Sequence, residues 1–240
     1  MRPASIFEPP FSIMTTHAKN TRPSKRTVLI VDDHPMMREG LAQLISHEKE
    51  IQVCAEAGNA HEALEKATTL KPDLILTDIT LPGKGGIELI KDIKAMQSDA
   101  QVLVISMHDE AFYVERVLRA GGRGYIMKQE GGKKIMEAIR QVLGGKVYVS
   151  EKMSAKILEI FSGGRPEATA SPIEKLTDRE FEIFQLIGKG LSTIQMAQQL
   201  HVSPKTIGVH RTNIKVKLDL KTAAELLRHA VRWLDAEASQ

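Results

Sequence analysis

Asp32 and Asp33 follow the apolar run Thr27–Val31, and Asp78 follows Leu74–Thr77. Ser106 follows Gln101–Ile105, and Lys128 follows Gly124–Met127. Three carboxylates brought together repel one another unless a cation neutralises them. Oxygen-only ligation suits Mg²⁺, which keeps waters and takes one or two carboxylates plus phosphate oxygens. A carboxylate is also a nucleophile that can form an aspartyl phosphate. A lysine beside it would neutralise the transferred group, and a serine hydroxyl would hydrogen-bond one of its oxygens. Singly, each residue has a plainer reading: Asp78 caps a loop, Ser106 sits in a turn, Lys128 is a solvated base. The set, at the ends of successive apolar runs, argues for phosphoryl chemistry.

That chemistry requires the run ends to meet. Short apolar runs bounded by turn residues suit strands buried on both faces, as in parallel sheets. Strands are expected at Thr27–Val31, Ile51–Ala57, Leu74–Thr77, Gln101–Ile105 and Gly124–Met127. Helices are expected at 35–47, Ala60–Leu70 (with Asn59 and Glu62 as a cap), 86–96, 110–119 and Lys133–Leu143. Five alternations of strand and helix predict an α/β, doubly wound, five-stranded parallel sheet with right-handed crossovers. Its ligands would lie beyond the carboxyl ends of the strands.

Val31-Asp32-Asp33-His34, Asp78 with Pro82 and Gly86, Ser106, and Gly124-Tyr125-Ile126-Met127-Lys128 together resemble the receiver domain of two-component response regulators over residues 27–145. The resemblance implies a flavodoxin-like fold with Asp78 as phosphoacceptor. It implies Mg²⁺ held by Asp33, Asp78 and the Thr80 carbonyl with Asp32 in support, Ser106 and Tyr125 as a switch pair, and Lys128 on the phosphate. Gln129 departs from the pattern, since many receivers have proline after the lysine.

The carboxy-terminal part reads as helical. Thr177 with Glu180 and Ser192 with Gln195 form capping boxes, and Ser203-Pro204 gives an N-cap followed by proline at N1. Residues 204–218 include Lys205, Arg211, Lys215 and Lys217 and no acid, with Ile207, Ile214 and Leu218 on one face. Residues 221–234 form a fourth helix, with Ala224, Leu227 and Val231 on one side. Two short helices, the second basic outside, suit a helix-turn-helix reader of the major groove, although on charge alone a small bundle with a solvated basic face is the better fit, since the domain carries only +2. Leu176–Trp233 resembles the LuxR-type DNA-binding domain, a four-helix unit that follows a receiver in the NarL/FixJ class. The matching stretches are Leu176–Glu180, Gly188–Ser192, Lys205-Thr206-Ile207, Val209-His210 and Asn213-Ile214. DNA contacts are expected from Lys205, Thr206, Val209, His210, Arg211, Thr212, Lys215 and Lys217. Gly208 stands where the family often has a base.

The domains are therefore expected at 27–148 (receiver) and 173–240 (DNA binding). Residues 149–172 would be a helix and a flexible linker, rich in Gly, Pro and Ser. Residues 1–26, with five Lys/Arg, one Glu and four prolines, would be a disordered basic tail. The net charge of +3 selects no partner, and with aromatics at 4% the cores must be aliphatic. Cys54 is the only cysteine, so no intrachain disulfide exists, which suits a cytoplasmic protein. No apolar run is long enough to span a membrane, and the amino terminus lacks the apolar centre of a secretory signal.

The expected function is a DNA-binding transcription regulator, not an enzyme. A sensor histidine kinase would phosphorylate Asp78, and a homodimer would bind promoter DNA. One alternative is a DNA binder that uses its receiver only for dimerisation. Another is a Mg²⁺-dependent phosphohydrolase using an aspartyl phosphate. Haloacid-dehalogenase-like enzymes place a second Asp two residues after the nucleophile, where this chain has Thr80.

Overall fold

The computed structural model describes residues 25–96, 98–155 and 172–238. The expected tail at 1–24 and most of the expected linker fall outside these residues. Five strands form one parallel sheet in the order β2-β1-β3-β4-β5: β1 Arg26–Val31, β2 Ile51–Ala57, β3 Leu74–Thr77, β4 Gln101–Ser106 and β5 Gly124–Met127. Between them lie α1 Pro35–Ser46, α2 Ala60–Leu70, α3 Gly86–Ala95 and α4 Glu110–Ala120, and α5 Gly131–Leu143 follows β5.

Several expected boundaries shift by a residue, the last helix runs Ala223–Ala238 where 221–234 is expected, and two further changes have a local cause. Arg26, assigned to the tail, opens β1, where its guanidinium pairs with Asp73 at 2.6 Å. Helix α5 starts at Gly131, not at Lys133, because a 3₁₀ turn at Lys128–Glu130 leads the chain directly into it.

Alternation along the strands sorts the core into two layers. Val28, Ile30, Leu74, Leu76, Leu103 and Ile105 face α1 and α5. Leu29, Val31, Ile75, Val102 and Val104 face the other three helices, and that layer continues into the carboxy-terminal unit through Phe181 and Phe184. That unit holds α6 Asp178–Gly188, α7 Thr193–Gln199, α8 Pro204–Lys217 and α9 Ala223–Ala238. The capping boxes at Thr177 and Ser192 and the Ser203 cap form as expected. Every residue from Arg179 to Ile187 is buried. Helix α6 is thus enclosed on all sides, by its own bundle and by the receiver-like unit.

Candidate functional site

Register brings the run ends together. Val31 pairs with Thr77, Thr77 with Val104, and Ser106 with Met127. The residues that follow therefore emerge side by side at the carboxyl edge. Asp32 and Asp78 flank the point where the strand order reverses, between β1 and β3, the usual ligand crevice of such sheets. Asp32, Asp78 and Ser106 are buried.

Lys128 Nζ lies 2.6 Å from Asp32 Oδ2 and 2.6 Å from Asp78 Oδ2. Burial disfavours its ammonium, but the charges and hydrogen bonds of the two aspartates outweigh that and raise its pKa. Burial likewise pushes the Asp78 carboxyl up, against the pull of Lys128. The other oxygen of Asp78, Oδ1, accepts from the Ile79 amide at 2.6 Å. Helix α3 anchors the loop behind it: a Cβ at Gly86 would lie 2.0 Å from the Asp78 carbonyl oxygen, so only glycine fits.

Asp33 carries the residues that fit a cation. Its Oδ1 is buried and has no hydrogen-bond partner, although His34 Nδ1 lies 2.7 Å away. Asp32, Asp33 and His34 place three potential ligand atoms within 4.8 Å of one another. His34 is an addition to the expected set. His201, from the turn between α7 and α8, brings Nε2 to 3.7 Å from Asp33 Oδ2.

The expected switch residues are turned inward. Tyr125 is fully buried, and its hydroxyl donates to the His108 carbonyl at 2.8 Å. Burial drives its phenol far above the usual tyrosine range. His108 Nε2 lies 2.9 Å from Thr80 Oγ1, whose hydroxyl donates to Glu182 Oε1 at 3.2 Å. Burial, with Lys189 and Lys128 nearby, lowers the His108 pKa to about 4.

The expected DNA-contacting residues divide by environment. Lys205, Val209 and Thr212 are exposed on α8. Thr206 and Lys215 are half-buried, as is His210. Arg211 donates to Thr193 Oγ1 at 2.9 Å, and Lys217 pairs with Glu180 at 2.6 Å. Those two cations are engaged within the bundle, which leaves Lys205 as the most freely presented base of the set.

Sequence reasoning missed the contacts between the two units. Tyr113 donates to Gln185 Oε1 at 2.7 Å. Arg116 bonds Asp178 and the Leu176 carbonyl at 3.1 Å each, and sits 4.2 Å over the Phe181 ring. Phe112 stacks on Trp233 at 4.9 Å. The one available signal was the run Arg179–Glu182, which sets three charged residues around Phe181 at the start of a helix that is otherwise mostly apolar.

A receiver-type sheet with its acidic edge, followed by a helix-turn-helix bundle, defines a response regulator. Residues 28–140 match the response regulator receiver domain, and residues 174–230 match the luxR family of bacterial regulatory proteins. The oxygen regulatory protein NreC of Staphylococcus aureus is 34% identical over 209 residues, which cover 85% of this chain and 96% of that protein. The RcsB response regulator of Salmonella typhimurium superimposes with a TM-score of 0.52 at 25% identity, over 86% of this chain and 98% of RcsB. A LuxR-family two-component response regulator from Aurantimonas sp. SI85-9A1 gives 0.54 at 33% identity, over 58% of this chain and 99% of that one. The chain belongs to the response regulators of the NarL/FixJ class, with a receiver domain and a LuxR-type effector domain.

Proposed function

We propose that this protein is a transcription regulator switched by phosphorylation of Asp78. The observation that carries the reading is the Asp32–Lys128–Asp78 cluster at the switch point of the sheet, in the same chain as a helix-turn-helix whose α8 exposes Lys205, Val209 and Thr212.

In this reading a histidine kinase presents a phosphohistidine at the carboxyl edge. An Asp78 oxygen attacks phosphorus. The new P–O bond forms as the P–N bond breaks, and the histidine nitrogen leaves with the electron pair. Lys128 is placed to stabilise charge on the phosphoryl oxygens, and Ser106 to hydrogen-bond one of them. Asp33, Asp78 and the Thr80 carbonyl, supported by Asp32, would hold Mg²⁺, for which the orphaned Asp33 Oδ1 is a fitting ligand atom. The ion would neutralise phosphoryl charge. His108, Tyr125 and Ser106 line the route by which a change at Asp78 reaches α4 and, beyond it, α6.

The output is binding of promoter DNA by a homodimer. Its candidate contacts are Lys205, Thr206, Val209, His210, Arg211, Thr212, Lys215 and Lys217. Support comes from RcsB, of which two dimers bind two parallel DNAs in a structure 25% identical to this chain. Leu227 and Val231 on α9 are partly exposed on one face, which offers a dimer seam. The receiver is read as residues 27–148 and the effector as 173–240, in the cytoplasm; no described helix is long and apolar enough to cross a membrane. On this reading the only chemistry is the phosphorylation and dephosphorylation of Asp78 itself, with no substrate turned over.

The test is labelling by acetyl phosphate with Mg²⁺, followed by borohydride trapping and mass spectrometry. Wild type should carry the label at Asp78 and Asp78→Asn should carry none. Equal labelling of the two proteins would sink the assignment.

A further inference from the structure

The effector domain meets the phosphoacceptor loop with a buried carboxylate. Glu182 is only 5% exposed. Its Oε1 accepts from Thr80 Oγ1 at 3.2 Å, two residues beyond Asp78. Its Oε2 is held by Arg179 at 2.7 Å, and that guanidinium also bonds the Leu200 carbonyl at 2.9 Å. Ile79, Ile87 and Tyr113 line the same cleft. A carboxylate placed in a domain junction at such a desolvation cost needs a reason, since an apolar residue would dock more cheaply.

We propose that Glu182 is the residue through which the effector domain senses the charge on Asp78: it docks on Thr80 while Asp78 is a bare carboxylate, and is repelled once a phosphoryl group is attached. The inference rests on Asp78 being the phosphoacceptor. An aspartyl phosphate carries about −1.5 to −2 in place of a single negative charge, and carries it farther beyond the end of β3 than the bare carboxylate does. Salt screens exposed charges but reaches a buried carboxylate poorly. Two of the nearby cations are already committed, and a third, Lys189, is exposed and so screened. Lys128 is shared between Asp32 and Asp78, and Arg179 between Glu182 and the Leu200 carbonyl.

The other contacts across the junction do not read this charge. Phe112–Trp233 is apolar, and Tyr113–Gln185 is neutral. Arg116 and Asp178 satisfy each other. His201 approaches Asp33 with the opposite sign, but it is half-exposed at 3.7 Å and so screened, which leaves the buried Glu182 dominant.

Trp233, the only tryptophan, lies on the junction and reports its opening. The experiment follows Trp233 emission in the full chain with Mg²⁺ as baseline, then with beryllofluoride added. Binding of beryllofluoride is read independently by ¹⁹F NMR. Wild type should bind and shift to the red as Trp233 meets water. Glu182→Gln should bind roughly fivefold more tightly, because docking no longer opposes the ligand, and should show little shift; fivefold is the low end of couplings between sites. Glu182→Asp keeps the charge and should respond like wild type. Thr80→Asp sets a carboxylate against Glu182 and should red-shift without any ligand, so the idea stays testable if Glu182→Gln fails to fold.

A Glu182→Gln protein that binds and shifts like wild type overturns charge sensing and leaves the phosphorylation reading intact. So does a Thr80→Asp protein whose emission matches unliganded wild type. If wild type shows no bound beryllofluoride, the Asp78 assignment itself falls, and this inference with it.

Discussion

The Arg116 guanidinium on α4 and the Asp178 carboxylate at the first turn of α6 meet at 3.1 Å and tie the receiver to the effector. Both side chains are mostly buried, and Arg116 also bonds two carbonyls, those of Ile173 and Leu176. Charge-assisted bonds of this kind are worth about 1.5–3 kcal/mol each. Arg116→Ala should therefore open the junction without ligand, seen as a red shift of Trp233 with helix content unchanged by circular dichroism. Lys91 bonds the same carboxylate at 2.7 Å but is more than half exposed. Exposed pairs contribute at most about 1 kcal/mol, so Lys91→Ala should leave the emission in place.

What was legible in the sequence is what local rules determine. The five strands announced themselves as short apolar runs, four of them followed by or ending in polar residues, and the caps at Asn59, Thr177, Ser192 and Ser203 as side chains that answer amides three residues on. Asp32, Asp78, Ser106 and Lys128 were legible for the same reason: strand ends in a parallel sheet share an edge. The start of α5 was hidden by Gly131 and Gly132, because glycine reads as a breaker; Gly131 takes φ +80 at the helix entry, a conformation glycine adopts at little cost. The junction left one trace, the charged residues of Arg179–Glu182, and nothing in it pointed to a partner. Tyr113, Arg116 and Glu182 meet partners scores of residues away, and no spacing rule connects them. His34 and His108 each read as ordinary polar residues until the fold placed one at Asp33 and the other at Thr80.

Gly86 should be intolerant of any side chain. Its missing Cβ leaves room for the Asp78 carbonyl, which would otherwise be 2.0 Å away. The contact is with backbone, so no rotamer change relieves it. Overpacking of this kind costs about 1–3 kcal/mol. Gly86→Ala should lower the urea midpoint and also displace Asp78, so that labelling by acetyl phosphate drops well below wild type. Loss of stability with full labelling would mean that α3, not the Asp78 loop, gives way.

His108 should make the protein acid-sensitive. Its pKa falls from 6.5 to about 4 on folding, chiefly through burial. Below the unfolded value the unfolded chain binds a proton that the folded chain refuses. Stability from this group is therefore complete above the unfolded pKa and is lost as pH falls toward the folded one. The slope is about 1.4 kcal/mol per pH unit for one proton, so between about pH 6.5 and about pH 5 it removes about 2 kcal/mol. Carboxylates titrate in the same window, so the quantity to measure is a difference. Urea unfolding of wild type and His108→Gln should converge as pH falls, because the variant has no proton to refuse. Parallel pH profiles would show that His108 is hydrated enough to titrate normally.

Gly208 lies within α8 and is exposed, and a Cβ there would meet nothing within 4 Å. It is also absent from the glycines with positive φ. Neither packing nor backbone conformation requires glycine, and a glycine inside a helix costs roughly 1 kcal/mol relative to alanine. Gly208→Ala should accordingly stabilise the effector domain by about that amount. The reason for the glycine would then lie in DNA recognition, and two readings differ. In one, the missing side chain relaxes base choice: a good bidentate contact gives roughly 1–3 kcal/mol of discrimination, and none comes from this position. Lys205 and the other bases would still bind phosphates, with strong salt dependence and little sequence information. In the other, glycine lets α8 sit closer to the groove, and backbone contacts replace the absent cation. Gly208→Lys separates them. On the first reading it tightens binding, steepens the salt dependence by about one counterion, and sharpens preference at one base pair per half-site. If it abolishes binding while Trp233 emission and helix content remain those of wild type, close approach was the reason for the glycine, and relaxed readout is wrong.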